Sequence, residues 1–262
     1  MEREMYYADK FYPKNSELLI KFFNQFCKVK EIKNTNSNFG LILPHAGYVY
    51  SGKTALYAIC KALDFGKPER IIIFGTNHTG IAGNICSLWP RGKWNTPFGY
   101  VGIDEELNNY LLKNEIFEEN YKAHILEHSI EVLLPILKYY FGSFKFVPII
   151  YNYQSYENTI KIVELLKKID LKNTLLVASS DFNHYESHEI TLRKDEKLIE
   201  KILERNIEGI YSLRKSISAC GIGPMSVLTM YFDNVKLVYH TTSAEYSKDY
   251  TFTVGYASFV LW

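Results

Sequence analysis

Phe39-Gly-Leu-Ile-Leu43 runs straight into Pro44-His45-Ala46-Gly47-Tyr48. A run of five residues without a polar side chain is too short for a helix and reads as a strand buried on both faces. The Gly-containing polar segment after it reads as the loop at the strand's carboxyl end. The same arrangement recurs twice. Arg70-Ile-Ile-Ile-Phe74 leads into Gly75-Thr76-Asn77-His78-Thr79-Gly80, and Thr174-Leu-Leu-Val-Ala178 leads into Ser179-Ser180-Asp181-Phe182-Asn183-His184-Tyr185. Lys145-Phe-Val-Pro-Ile-Ile150 is a fourth apolar run, although Pro148 is unusual inside a strand.

Amphipathic stretches separate these runs at Glu17 to Phe26, Thr54 to Leu63, Ser129 to Tyr140 and Tyr156 to Ile169. Ser16 and Ser129 can cap the first and third, and Pro135 introduces a kink or a later start in the third. Two more helical stretches follow near Glu189 to Glu204 and Pro224 to Phe232. Val235 to His240 and Tyr250 to Leu261 are strand-like in their β-branched and aromatic content. Strands alternating with helices indicate an α/β layer fold. No Gly-, Ser- or Pro-rich stretch divides the chain, so residues 1–262 read as a single domain. Trp89 to Gly102, with two Trp, two Pro and three Gly, reads as a structured loop or lid.

Composition narrows the function classes. The 262 residues are 47% apolar and 23% charged, the proportions of an ordinary globular protein rather than a disordered one. Lys plus Arg number 30 against 29 Asp plus Glu, which removes the bulk electrostatic argument for nucleic acid or an anionic membrane. Charges in Met1-Glu2-Arg3-Glu4-Met5 fall where a signal peptide needs an apolar core, and no apolar run is long enough to span a bilayer. Cys27, Cys60, Cys86 and Cys220 are far apart and contain no CxxC pair. They fit neither a disulfide framework nor a zinc ribbon, so a reducing cytoplasm is the simplest setting, with Cys27, Cys60 and Cys86 as core residues.

The chemistry concentrates where strands end. Ligands of open α/β sheets bind beyond the carboxyl ends of strands, because side chains converge there. Three such ends carry His45, His78 and the Asp181/His184 pair. Singly, each His could be a turn residue, and Asp181 could cap a following helix. Cys220, in Ser218-Ala-Cys-Gly-Ile-Gly-Pro224, has small neighbours and precedes a helix start, which favours the thiolate. His124-Ile-Leu-Glu127-His128-Ser-Ile-Glu131 packs four ionisable groups into eight residues. His128 there suits an acid/base or supporting role better than direct ligation. The chain has no GxSxG elbow, no Walker A motif, no HExxH and no GxGxxG.

Taken in order, these segments resemble the Memo family, also known as AmmeMemoRadiSam system protein B. The resemblance runs from Ala8-Asp-Lys-Phe-Tyr-Pro13 through Pro44-His-Ala-Gly-Tyr-Val-Tyr-Ser-Gly52, Gly75-Thr-Asn-His-Thr-Gly80 and Glu127-His-Ser-Ile-Glu-Val132. It continues through Ser179-Ser-Asp-Phe-Asn-His-Tyr185 and Cys220-Gly221 to Val254-Gly-Tyr-Ala257. Asp9 stands where Gly is usual. The resemblance implies a fold like that of the class III extradiol (LigB-like) dioxygenases, a central mixed sheet flanked by helices with a metal cleft. It implies His45, His78 and Cys220 as metal-binding positions, Asp181 and His184 as polar cleft residues, and Phe11 as an aromatic at the vestibule. Cys220 replaces the carboxylate of the dioxygenases, and a soft sulfur favours copper, zinc or redox-linked iron. Ring cleavage is therefore not implied.

Two functions follow from the resemblance. One is a metal-dependent redox protein in which one iron or copper ion (zinc being the other option) is held by His45, His78 and Cys220. His184 or His128 then moves protons, Asp181 orients a His or a water, and a radical SAM protein is the expected pathway partner. The other is a non-catalytic binding or adaptor module that uses the same cleft, its His residues and the nearby Phe11, Tyr48 and Trp94 holding a peptide or small molecule. A thiol-hydrolase reading, with Cys220 as nucleophile and His184 as base, leaves His45 and His78 without a role.

Overall fold

The side chains of the apolar runs alternate between two cores, as period-two strands must. Leu41, Leu43, Ile71, Ile73, Leu175 and Val177 enter one buried cluster. Ile42, Ile72, Phe74, Leu176 and Ala178 enter another. A sheet with a core on each face needs helices on both sides, and the computed structural model, which describes residues 1–28, 33–35 and 37–262, has that layering.

In chain order the first strands are β1 (Glu2–Arg3), β2 (Phe39–Leu43), β3 (Arg70–Thr76), β4 (Cys86–Leu88), β5 (Lys93–Thr96) and β6 (Gly99–Ile103). They continue as β7 (Phe117–Glu119), β8 (Lys145–Tyr151), β9 (Thr174–Ser179), β10 (His184–Glu186), β11 (Val235–Thr242) and β12 (Thr253–Leu261). All belong to one mixed sheet, ordered β1-β5-β6-β8-β3-β9-β2-β12-β10, with β11 on β12 and with β4 between β7 and β8. Its centre, β8-β3-β9-β2, is parallel, whereas β12 is antiparallel to β2. The helices Lys53–Ala62 and Tyr156–Leu166 are crossovers between parallel strands of this sheet, from β2 to β3 and from β8 to β9, each skipping one strand. Pro148 sits in β8 where its flank changes partner: β6 pairs with Lys145 and Phe146, and β4 pairs with Ile149 to Tyr151. A missing N–H is tolerated at such a break.

Several local expectations change. Asn15, not Ser16, caps the helix Ser16–Phe23, its side chain accepting from the N–H groups of Glu17 and Leu18. The stretch from Ser129 to Tyr140 is two helices, His128–Glu131 and Leu134–Phe141, with Pro135 in the first turn of the second and Glu127 capping the first. Proline in a first turn costs no hydrogen bond, so the chain restarts there instead of kinking. Trp89 to Gly102 is no lid: β5 and β6 form an antiparallel hairpin in it, and Trp89 and Trp94 are buried. Cys27 and Cys60 are not separate core thiols but a disulfide that ties the end of the first helix to the helix Lys53–Ala62. That pairing removes the cysteine argument for a reducing compartment. Cys86 is a free, fully buried thiol, as a core residue should be. Among the described residues no helix is long and apolar enough to cross a membrane.

Candidate metal centre

β9 lies between β2 and β3 and runs in the same direction as both, so the three carboxyl ends share one edge of the sheet. His45, His78 and Asp181 each stand two residues beyond the end of their strand. Equal spacing on adjacent parallel strands is what brings loops so remote in sequence to one place. Cys220 arrives separately, from the turn before the helix Ile222–Tyr231, which packs against β9.

The donor atoms of His45, His78 and Cys220 all lie within 4.8 Å of one another. Cys220 Sγ is 3.4 Å from His45 Nε2. Hydrogen bonds behind the rings select the nitrogens. Ser179 Oγ donates to the Ser129 carbonyl at 2.5 Å, which leaves it to accept from His45 Nδ1–H at 2.7 Å. Glu127 Oε1 is an acceptor only, and His78 Nδ1 donates to it at 2.8 Å. Both imidazoles therefore have Nδ1 engaged, and Nε2 of His45 faces the sulfur. A partner on the second ring nitrogen is the usual way a protein orients a metal-binding His.

Charge at the site follows from this packing. Burial pushes the Cys220 thiol up, but His45, with help from a hydrogen bond to His78, brings it down to about 6. The Asp181 N–H also donates to Sγ at 3.2 Å. Burial opposes a charge on His78, yet the Cys220 and Glu127 hydrogen bonds outweigh it and raise the ring to about 10. Burial also works against the Glu127 carboxylate, but His78 holds it down at about 2. A His78 imidazolium thus lies between the Cys220 thiolate and the Glu127 carboxylate, in a site where His45 is buried, Cys220 partly buried and His78 exposed.

A sequence model of the family described as Memo-like protein matches residues 3–260. The chain belongs to the Memo-like family. It is 41% identical to the MEMO1 family protein of Sulfurisphaera tokodaii, over 86% of this chain and 84% of that one. It is 37% identical to the MEMO1 family protein of Thermotoga maritima, across 100% of both. Its fold is similar to that of an uncharacterized protein from Escherichia coli K12, with a TM-score of 0.58 over 86% of this chain and 99% of that chain. At 10% identity that likeness shows the fold alone.

The other expected site residues of the Memo-like chain divide into those beside the donors and those away from them. The His128 ring stacks on His78 with centroids 4.5 Å apart and meets His45 edge-on at 5.2 Å. Burial and the neighbouring His45 lower its pKa to about 3, so it stays neutral. Phe11 also packs on His128, with ring centroids 4.9 Å apart. Asp181 does not cap a helix. Its Oδ1 accepts the N–H groups of His45 and Ala46 at 2.7 and 3.3 Å, fixing the loop after β2. Burial raises its pKa. His184 starts β10, and its Nδ1 donates to the Ser218 carbonyl at 2.9 Å. It therefore braces the Cys220 turn, and no helix carries it around to the side of Asp181.

Two aromatics expected in the cleft are elsewhere. Trp94 is 1% exposed, its ring under the Arg3 guanidinium and edge-on to Phe146, and cannot touch a ligand. The alternation of β5 explains this, because Trp94 takes the inward position. Tyr48 donates its hydroxyl to the Val132 carbonyl, and its ring joins Tyr12, Phe22 and Phe23 in the core. Two residues given no role from sequence, Ser179 and Glu127, orient the imidazoles. Glu127 was visible inside a dense charged motif. Nothing but the position of Ser179 at a strand end marked it.

Proposed function

We propose that His45, His78 and Cys220 hold a single iron or copper ion and that the protein performs a metal-dependent redox reaction. The supporting observation is the donor set itself: two imidazoles with pre-engaged Nδ1 partners, converging within 4.8 Å on a thiol whose pKa is brought down to about 6. Soft sulfur beside two nitrogens fits copper, zinc or redox-linked iron better than a hard, oxygen-loving cation. When bound, the ion supplies one-electron chemistry or Lewis acidity. The residues around it do the rest. His128, neutral and within ring contact of both other imidazoles, can hold a hydrogen bond to a ligand or water at the site. Asp181 and Ser179 keep His45 in place. Phe11 shields one face of His128 from water. A radical SAM protein belongs to this reading as the pathway partner.

The test is metal analysis of protein purified from iron- and copper-supplemented cultures. About one equivalent of iron or copper is expected in the wild type, lost in Cys220→Ala. No stoichiometric metal in the wild type sinks the reading.

A second reading, a binding module, draws support from a separate cavity of about 440 Å³ walled by Phe22, Phe26, Tyr48, Val49, Tyr50 and Tyr246. Ligand affinity there should survive removal of metal and the His45→Ala change. Affinity that vanishes with the metal counts against it.

A further inference from the structure

We propose that Arg3 and Glu131 are positioning residues for the metal centre, and that the amino-terminal strap they anchor sets the geometry of Glu127 and, through it, of His78. The proposal rests on the metal reading above for its function and on the following contacts for its structure.

Arg3 and Glu131 form an ion pair at 2.6 Å with both side chains 1% exposed. A buried pair is costly to desolvate and persists only where further hydrogen bonds satisfy it. Here every direction is used. The guanidinium donates to the carbonyls of His124, Ile125 and Glu127 at 2.9, 3.0 and 2.9 Å, and it lies 4.2 Å from the centre of the Trp94 ring. The first two carbonyls are at the end of the helix Tyr121–Ile125 and the third is in the turn from it to the helix His128–Glu131. Glu131 accepts from the N–H groups of Tyr6 and Tyr7 at 3.2 and 2.8 Å and from the Tyr12 hydroxyl at 2.8 Å. One ion pair thus ties residues 3–12 to residues 124–131.

What that turn carries is the reason for the assignment. Glu127 lies at its end, with its own carbonyl in the grip of Arg3 and its side chain on His78. The strap also closes over the site: Tyr7 and Phe11 pack on His128, and the Tyr7 hydroxyl donates to the Leu126 carbonyl at 2.8 Å. A pair needed only to fasten the amino terminus would not have to reach the carbonyl of the residue that orients a metal-binding His. Backbone tethering at that carbonyl fixes where the Glu127 carboxylate can point.

The experiment compares full-length wild type, Arg3→Met, Glu131→Gln and the control Glu127→Gln, each stripped of metal and titrated with Co(II) alone. Cobalt reports both affinity and, through its thiolate absorption, the presence of Cys220 in the coordination shell. Arg3→Met and Glu131→Gln are expected to weaken Co(II) binding about 10- to 100-fold, as loss of supporting partners usually does, while keeping the thiolate band. Affinity within twofold of wild type in both variants, whatever their melting temperature, overturns the proposal and leaves the pair a structural fastening. If Arg3→Met does not fold, Glu131→Gln, which keeps the volume of the side chain, carries the test. If wild type binds no Co(II), positioning is read instead by hydrogen exchange at the His78 amide, which donates to Glu127 Oε2 at 2.6 Å, and the metal reading is left to the iron and copper analysis above. Selective loss of its protection in the folded variants then supports the proposal. Protection equal to wild type overturns it.

Discussion

Glu127 grips His78 at two points: Oε2 accepts the backbone N–H at 2.6 Å and Oε1 accepts the ring Nδ1–H at 2.8 Å. One carboxylate thereby fixes the position of the residue and the rotation of its ring. Glu127→Gln puts an amide in place of one of the two acceptors and removes the charge. Its affinity for Zn(II) is expected to fall about 10- to 100-fold with little change of fold, measured by competition with a chromogenic chelator. Unchanged affinity would mean that the His78 ring needs no partner.

The thiol of Cys220 supplies a pH test in metal-free protein. Its pKa lies at about 6, so alkylation by iodoacetamide should rise through that pH and level off above it. His45→Ala removes the leading cause of the depression, and the midpoint should then move upward. Cys86 is fully buried, with its pKa raised by that burial, and serves as the unreactive internal standard. Mass spectrometry of the two peptides gives both rates. A midpoint near the ordinary thiol value in the wild type would contradict the charge arrangement.

His124 gives a stability test. Burial takes its pKa from 6.5 down to about 3, so the folded protein keeps the ring neutral while the unfolded chain protonates it. The group contributes fully above pH 6.5 and its contribution is lost as pH falls toward 3. Unfolding takes up one proton in that window, worth about 1.4 kcal/mol per pH unit. His128, shifted the same way, adds a second. Denaturant titrations of wild type and His124→Gln between pH 6.5 and 5 should differ in slope by about that one-proton value. Parallel slopes would place the His124 ring in solvent.

Cys27 and Cys60 are 33 residues apart in sequence, so their bond restricts the unfolded chain over a loop of that size. The chain-entropy model assigns roughly 4 kcal/mol to such a closure. The Cys27→Ser, Cys60→Ser double variant should lose stability of that order in denaturant melts. Wild type treated with reductant should approach it. A double variant as stable as the oxidised protein would show that the bond adds nothing.

Much of this was legible in the sequence, because strand ends carry simple signals. The apolar runs at Leu43, Phe74 and Ala178 marked β2, β3 and β9, and the polar residues just past them marked the loops that meet. Sequence order alone cannot say that β9 lies between the other two, since pairing of parallel strands is non-local. The same limit hid the partner of Arg3, 128 residues away. Trp94 was misread because Pro and Gly around it suggested a loop, while the alternation that buries it spans only four residues. The cysteine pair was missed for a related reason: one thiol past the end of the first helix and one within the second leave no spacing signature.

The central place of β9 also governs timing. Strands β2 and β3 leave the ribosome early, but they are not neighbours and cannot pair with each other; the slot between them waits for residues 174 to 179. Cys220 is translated later still. A nascent chain therefore carries the two imidazoles before the sulfur that completes the donor set, so on the metal reading a cation would enter only a body already assembled around its pocket. A chain that ends before residue 220 lacks the third donor whatever its fold.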